Sequence, residues 1–178
     1  MLVTLVTADL TYFERILCIP TAATVPRIVE MIAEENAKKN GVKVTFKNSN
    51  LFENLKKNKK FDIIVSNPPY IPSEDIANLE IEVKEYDPKI ALDGGKDGLD
   101  FYKKIIEASP QYLENGGRLF LEIGYGQKKD VVNLLNNSFE EIKVIKDYNR
   151  IDRVIIAKLK DKKVKKNVKS NNKNKTKV

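Results

Sequence analysis

The chain has 178 residues, 42% hydrophobic and 32% charged, a composition that fits one globular domain with a core of its own. It holds no histidine and a single cysteine, Cys18, which excludes Ser-His triads, histidine general bases, an internal disulfide framework and His- or Cys-rich metal clusters. No apolar run reaches membrane-spanning length and no secretory pattern is present, so a cytoplasmic protein without membrane or metal partners is expected.

Residues 1–25 hold strand-like and helix-like pieces without a glycine and are set apart as an atypical leader. Pro26 then opens a helix over 27–39, with Ile28, Met31 and Ile32 at helical spacing and Asn40-Gly41 as its stop. Strands are predicted at 43–47 and 61–66, the second apolar on both faces apart from Asp62. Residues 71–98, with Pro72, Pro88, Asp93-Gly94-Gly95 and Asp97-Gly98, form a long connection of the kind that serves as a lid or insertion. Leu99, Tyr102, Ile105, Ile106 and Leu113 share one stripe, which predicts a helix over 99–113 ended by Asn115-Gly116-Gly117. A strand at 118–123, a helix at 127–136 and strands at 142–147 and 153–159 around Asn149-Arg150 complete the pattern. The order implies an α/β fold with a mostly parallel sheet whose final strands pair as an antiparallel hairpin.

The net charge of +7 is concentrated at the carboxyl end, where residues 160–178 carry nine Lys and one Asp and leave the rest near −1. This tail is poor in large apolar groups and is expected to be disordered, a solvated extension in the first reading and a weak RNA contact in the second.

The stretch FDIIVSNPPYIP, residues 61–72, is the most informative. An interior strand runs into Asn67-Pro68-Pro69-Tyr70 at its carboxyl end, the edge of an open α/β sheet where ligands bind. Two prolines have no N–H and hold the preceding residues extended, so the corner presents acceptors only. The Asn67 amide oxygen and the Pro68 carbonyl can together accept both hydrogens of a planar NH₂, and Tyr70 offers a flat face for its conjugated plane. Such a nitrogen is a weak nucleophile. Its partner must therefore be a strong electrophile, and a sulfonium methyl needs neither metal nor histidine.

Those residues, with VKEYDPKIALDGGKDGLDFYKKII, LENGGRLFLEIG and KDYNRIDRVIIAKL, resemble the release-factor glutamine methyltransferases of the HemK type, from about residue 33 to 159. The resemblance implies an α/β fold with a Rossmann-like class I methyltransferase sheet, mostly parallel with an antiparallel last strand and incomplete at its amino end, a partial catalytic domain over 26–159, S-adenosyl-L-methionine as cofactor and methylation of the glutamine amide in the Gly-Gly-Gln loop of peptide-chain release factors. By that likeness Asn67 and Pro68 hold the amide, Pro69 shapes the turn, Tyr70 packs on the amide plane, and Asn67 also lies near the donor methyl. Asn50 and Leu51 match the family's acidic-then-apolar pair at the adenine end of the cofactor, with Asn50 replacing the usual Asp. The family's amino-terminal helical domain, Gly-rich first loop and ribose-binding acid are not recognisable, Thr24 standing where that acid is expected. Alternatives are amino-group methylation of nucleic acid, since the tetrapeptide is shared with adenine-amino methyltransferases, and a truncated, inactive remnant.

Glu80, Glu82 and Glu85 read as exposed lid charges, Gly124 and Gly126 as a tight strand-to-helix turn, and Asp152 and Arg153 as a structural salt bridge.

Overall fold

In the computed structural model, which describes residues 3–10, 13–19, 27–80 and 89–161, seven strands form one sheet. They are β1 (Val3–Leu10), β2 (Phe13–Ile19), β3 (Lys43–Ser49), β4 (Phe61–Ser66), β5 (Leu113–Glu122), β6 (Phe139–Lys146) and β7 (Asp152–Leu159). Their spatial order is β3-β1-β2-β4-β5-β7-β6. The helices are α1 (Arg27–Lys39), α2 (Lys89–Leu92), α3 (Asp100–Ala108) and α4 (Lys128–Leu135), with single 3₁₀ turns at Asp75–Asn78 and Ser109–Gln111. None of the described helices is long and apolar enough to cross a membrane.

The central three strands, β2, β4 and β5, pair in parallel, and β7 runs against both β5 and β6. The antiparallel hairpin expected at the carboxyl end is therefore present. At the other side β1 opposes both β2 and β3. Five strands thus point one way and two, β1 and β7, point back, a mostly parallel α/β sheet. The carboxyl ends of β3, β4, β5 and β6 share one edge.

The burial pattern explains the layering. Side chains alternate across a strand, and the set Leu17, Ile19, Ile64, Leu119, Leu121 and Ile155 is fully buried on one face. Against it lie Tyr102, Ile105 and Ile106 of α3 and Val131 and Leu135 of α4, each at helical spacing. The opposite face, with Cys18, Val65 and Phe120 in register across β2, β4 and β5, is only half-buried.

The helix expected over 99–113 is shorter. It stops at Ala108 because the Ser109 hydroxyl donates to the Ile105 carbonyl at 2.5 Å and Pro110 has no N–H to continue the ladder. Leu113 instead opens β5, and the Asn115-Gly116-Gly117 signal lies within that strand as a register irregularity, with Gly116 at φ +73°. The two described ends of the segment 71–98 meet: Ile71 bridges Asp93, and the Gly94 N–H donates to the Ile71 carbonyl at 2.8 Å.

Candidate functional site

At the carboxyl end of β4 the side chain of Asn67 lines a cavity of about 430 Å³ together with Cys18, Val65, Ser66, Phe120, Glu122 and Val154. Its walls are the half-buried face of the sheet. The Asn67 N–H donates to the Ile19 carbonyl at 3.3 Å, which continues the β2–β4 ladder one residue past the strand and holds the backbone still. The Asn67 Oδ1, by contrast, is buried and accepts no hydrogen bond, the one such side-chain atom found among the described residues. A buried acceptor left open costs about 1–3 kcal/mol, which a donor from a water or a ligand in the cavity would offset. Glu122, facing Asn67 across the β4–β5 pairing, adds a carboxylate to the same cavity. Burial pushes the Cys18 thiol above its ordinary value, so at neutral pH it remains a neutral wall.

Pro68 and Pro69 are buried and Tyr70 is half-buried against the core. Three glycines leave room for Tyr70, two for its backbone and one for its ring. A Cβ on Gly98 would stand 2.4 Å from the Tyr70 carbonyl oxygen, one on Gly94 2.8 Å from its Cα, and one on Gly124 2.8 Å from its ring Cδ2. Gln127 closes the arrangement: its Nε2 donates to the carbonyls of Tyr70 (2.9 Å) and Gly98 (3.3 Å), and its Oε1 accepts from the Gly124 N–H (3.0 Å) and the Tyr102 hydroxyl (3.4 Å). Tyr102 also donates to the Glu122 carbonyl at 2.8 Å, and burial raises its phenol far above the ordinary value, keeping it a neutral donor. The tetrapeptide is thus clamped between the returning segment and the turn after β5.

Asn50 and Leu51 follow β3 at the same sheet edge, three strand spacings or about 14 Å from the end of β4. They line a separate cavity of about 470 Å³ with Phe52 and Tyr112, whose rings stack at 4.8 Å and 10°. Asn50 donates to Glu53 at 2.6 Å, and Leu51, at φ 49°, turns the chain away from the strand. The two cavities share no lining residue, and Tyr70 lines neither.

The sequence model of the Eco57I restriction-modification methylases matches residues 19–150. The chain belongs to that family. Among individual relatives, the release factor glutamine methyltransferase of Geobacter sulfurreducens is 47% identical over 125 residues, covering 70% of this chain and 44% of that protein. The one from Fusobacterium nucleatum is 50% identical over 116 residues, covering 65% and 33%. A release factor-specific protein-(glutamine-N5) methyltransferase of known structure, from Alicyclobacillus acidocaldarius, aligns with a TM-score of 0.39 and 29% identity over 58% of this chain and 52% of that one. The resemblance seen in the motifs is borne out, and the chain spans less than half the length of these curated relatives.

The structure brings Asn67 together with two residues that sequence reasoning did not single out as site residues, Glu122 and Cys18. Gln127 was also missed as a site element. Its signal, a glutamine directly after Gly-Tyr-Gly, looked only like the start of α4. Asp152 and Arg153 are both in ion pairs but not with each other: Asp152 meets Lys128 (3.2 Å) and Lys146 (3.0 Å), and Arg153 meets Asp147 (3.2 Å). Glu80 is exposed, as expected of a lid charge. Thr24, Glu82, Glu85 and the tail beyond residue 161 lie outside the described residues.

Proposed function

We propose that this methylase transfers a methyl group from S-adenosyl-L-methionine to the side-chain amide nitrogen of the glutamine in the Gly-Gly-Gln loop of peptide-chain release factors, with residues 26–159 as its catalytic domain. The observation that carries the reading is the open, buried Asn67 Oδ1 in a cavity at the carboxyl end of β4. That acceptor needs a donor from outside the chain, and an amide NH₂ supplies one. The names of the relatives support the same substrate.

In this reading Asn67 Oδ1 and the Pro68 carbonyl accept the two N–H groups and turn the nitrogen lone pair toward the methyl donor, a gain in orientation rather than basicity. Pro69 shapes the corner, and Tyr70, clamped by Gln127 and the glycines, fixes its position. When bound, the cofactor supplies an electrophilic sulfonium methyl. The donor set suits a cation of that kind, since Asn67 and Glu122 present oxygen and a carboxylate and the remaining walls are mostly apolar. Asn50 and Leu51 are proposed to hold its adenine end at the edge of β3.

Incubation with methyl-labelled S-adenosylmethionine and unmethylated release factor tests the proposal. Label on the glutamine of that loop is the expected result. Label on adenine or guanine amino groups of DNA or RNA, with none on the factor, overturns it in favour of a nucleic-acid methylase.

A further inference from the structure

Methylating an amide leaves a proton to place. The nitrogen that Asn67 is proposed to hold starts with two hydrogens and ends with one, and it carries a positive charge from the moment it takes the methyl group until it gives a proton up. Neither acceptor of the corner can keep that proton, because the Asn67 Oδ1 and the Pro68 carbonyl are amide oxygens and very weak bases. The chain has no histidine to take it. What remains is the rest of the cavity wall: Cys18, Val65, Ser66, Phe120, Glu122 and Val154. Three of these are apolar. The Ser66 hydroxyl is buried and donates to the Ile19 carbonyl at 2.9 Å, and burial pushes the Cys18 thiol up, so that it stays protonated. Glu122 alone brings a base. In the parallel β4–β5 register Ser66 pairs with Leu121, so one residue further on Asn67 and Glu122 stand side by side on neighbouring strands, about 4.8 Å apart, and both line the cavity. The Glu122 main chain is held in place by the Tyr102 hydroxyl, which donates to its carbonyl at 2.8 Å. Its half-buried carboxylate makes no ion pair or side-chain hydrogen bond among the described residues. Solvent satisfies it until a substrate enters and displaces that water.

We infer that Glu122 is a catalytic residue, the acceptor of the proton that the amide nitrogen sheds when it is methylated. The inference rests on the proposed function. The nitrogen lone pair forms the new N–C bond as the C–S bond breaks, and the C–S pair leaves with sulfur as a neutral thioether. The positive charge thereby passes to nitrogen. One N–H proton then moves to a Glu122 oxygen, directly or through one water, and the N–H pair returns to the amide. The products are the neutral N-methyl amide, the thioether and a protonated glutamate, which returns its proton to solvent. Asn67 orients the nitrogen, and Glu122 removes what the orientation cannot.

The test compares the full chain with Glu122→Gln, which keeps the shape and loses the base, and with Glu122→Ala, in methyl transfer from labelled S-adenosylmethionine to unmethylated release factor. Factor binding is followed by fluorescence titration, and unfolding temperatures are measured alongside. For Glu122→Gln, kcat is expected to fall about 100-fold while the KM and the Kd for the factor stay within about twofold of the parent. Added formate is expected to restore about tenfold of the lost rate to Glu122→Ala and to leave the parent unchanged, a rescue that a merely structural role would not show. A glutamine variant that keeps the parent kcat overturns the inference and leaves the proposed function standing. So does one whose Kd rises while kcat holds, which makes Glu122 a binding group, and so does an alanine variant that formate does not rescue. A parent chain that puts no label on the factor overturns the proposed function, and the role of Glu122 with it.

Discussion

Gln127 donates its side-chain amide to the Tyr70 carbonyl across 2.9 Å, joining the turn after β5 to the loop after β4. Both of its side-chain atoms are in use, which makes it the keystone between four segments: the tetrapeptide, the Gly98 turn, the Gly124 turn and Tyr102 of α3. Two of these contacts point to carbonyl oxygens and can be made only by an N–H donor.

Replacing Gln127 therefore discriminates geometry from charge. Gln127→Leu strands the Tyr70 carbonyl and the Gly124 N–H and is expected to cost about 1–3 kcal/mol in a urea unfolding measurement. Gln127→Glu keeps the acceptor but offers no donor, so it is expected to lose a comparable amount above the carboxylate pKa. A neutral result for both variants contradicts the clamp.

The glycines near Tyr70 separate two causes of glycine use. Gly98→Ala meets both a positive φ (+70°) and the Tyr70 oxygen at 2.4 Å, and is expected to cost about 2–5 kcal/mol from strain plus overpacking. Gly126→Ala has φ +80° and nothing within 4 Å, so only the backbone term of about 1–2 kcal/mol applies. Chemical denaturation of the two variants checks the order.

Acid should loosen the β6–β7 turn. The Ile151 N–H, followed by Arg153 and the Asn149 N–H, holds the Asp147 carboxyl below its ordinary value of 3.8, and Lys146 and Lys128 do the same for Asp152. A carboxyl depressed in the folded state contributes stability that is complete above its unfolded value and is lost as pH falls toward the folded one. Stability is thus expected to fall below about pH 4, and Asp147→Asn to flatten that fall while lowering stability at neutral pH. Thermal unfolding of both chains between pH 7 and 2 measures it.

The strand from Phe61 to Ser66, the helix from Arg27 to Lys39 and the final hairpin were legible in the sequence because each is bounded by its own local signal: an Asn-Pro-Pro corner, a leading proline with Asn-Gly behind, and an Asn-Arg turn. The end of α3 was not, since the apolar stripe runs on through Leu113 while a serine hydroxyl and Pro110 stop the helix inside it. β1 and β2 carry no glycine chemistry at all, and their places in the sheet follow from long-range pairing with β3 and β4 that no local pattern encodes. The same holds for the site. Asn67 announced itself through its prolines, whereas Glu122 reaches the cavity only through register across β5, and Gln127 acts through carbonyls far away in sequence.

The central claim is that Asn67 serves a bound amide rather than the fold, and paired measurements on Asn67→Ala test it most directly. With no intramolecular partner to lose, Oδ1 can be removed at little cost, so the unfolding free energy is expected to stay within about 1 kcal/mol of the parent. Methyl transfer to the release-factor glutamine is expected to drop by about 100-fold or more, as when a group that orients the reacting atoms is lost. A variant that unfolds easily, or one that keeps labelling the factor at the parent rate, contradicts the account.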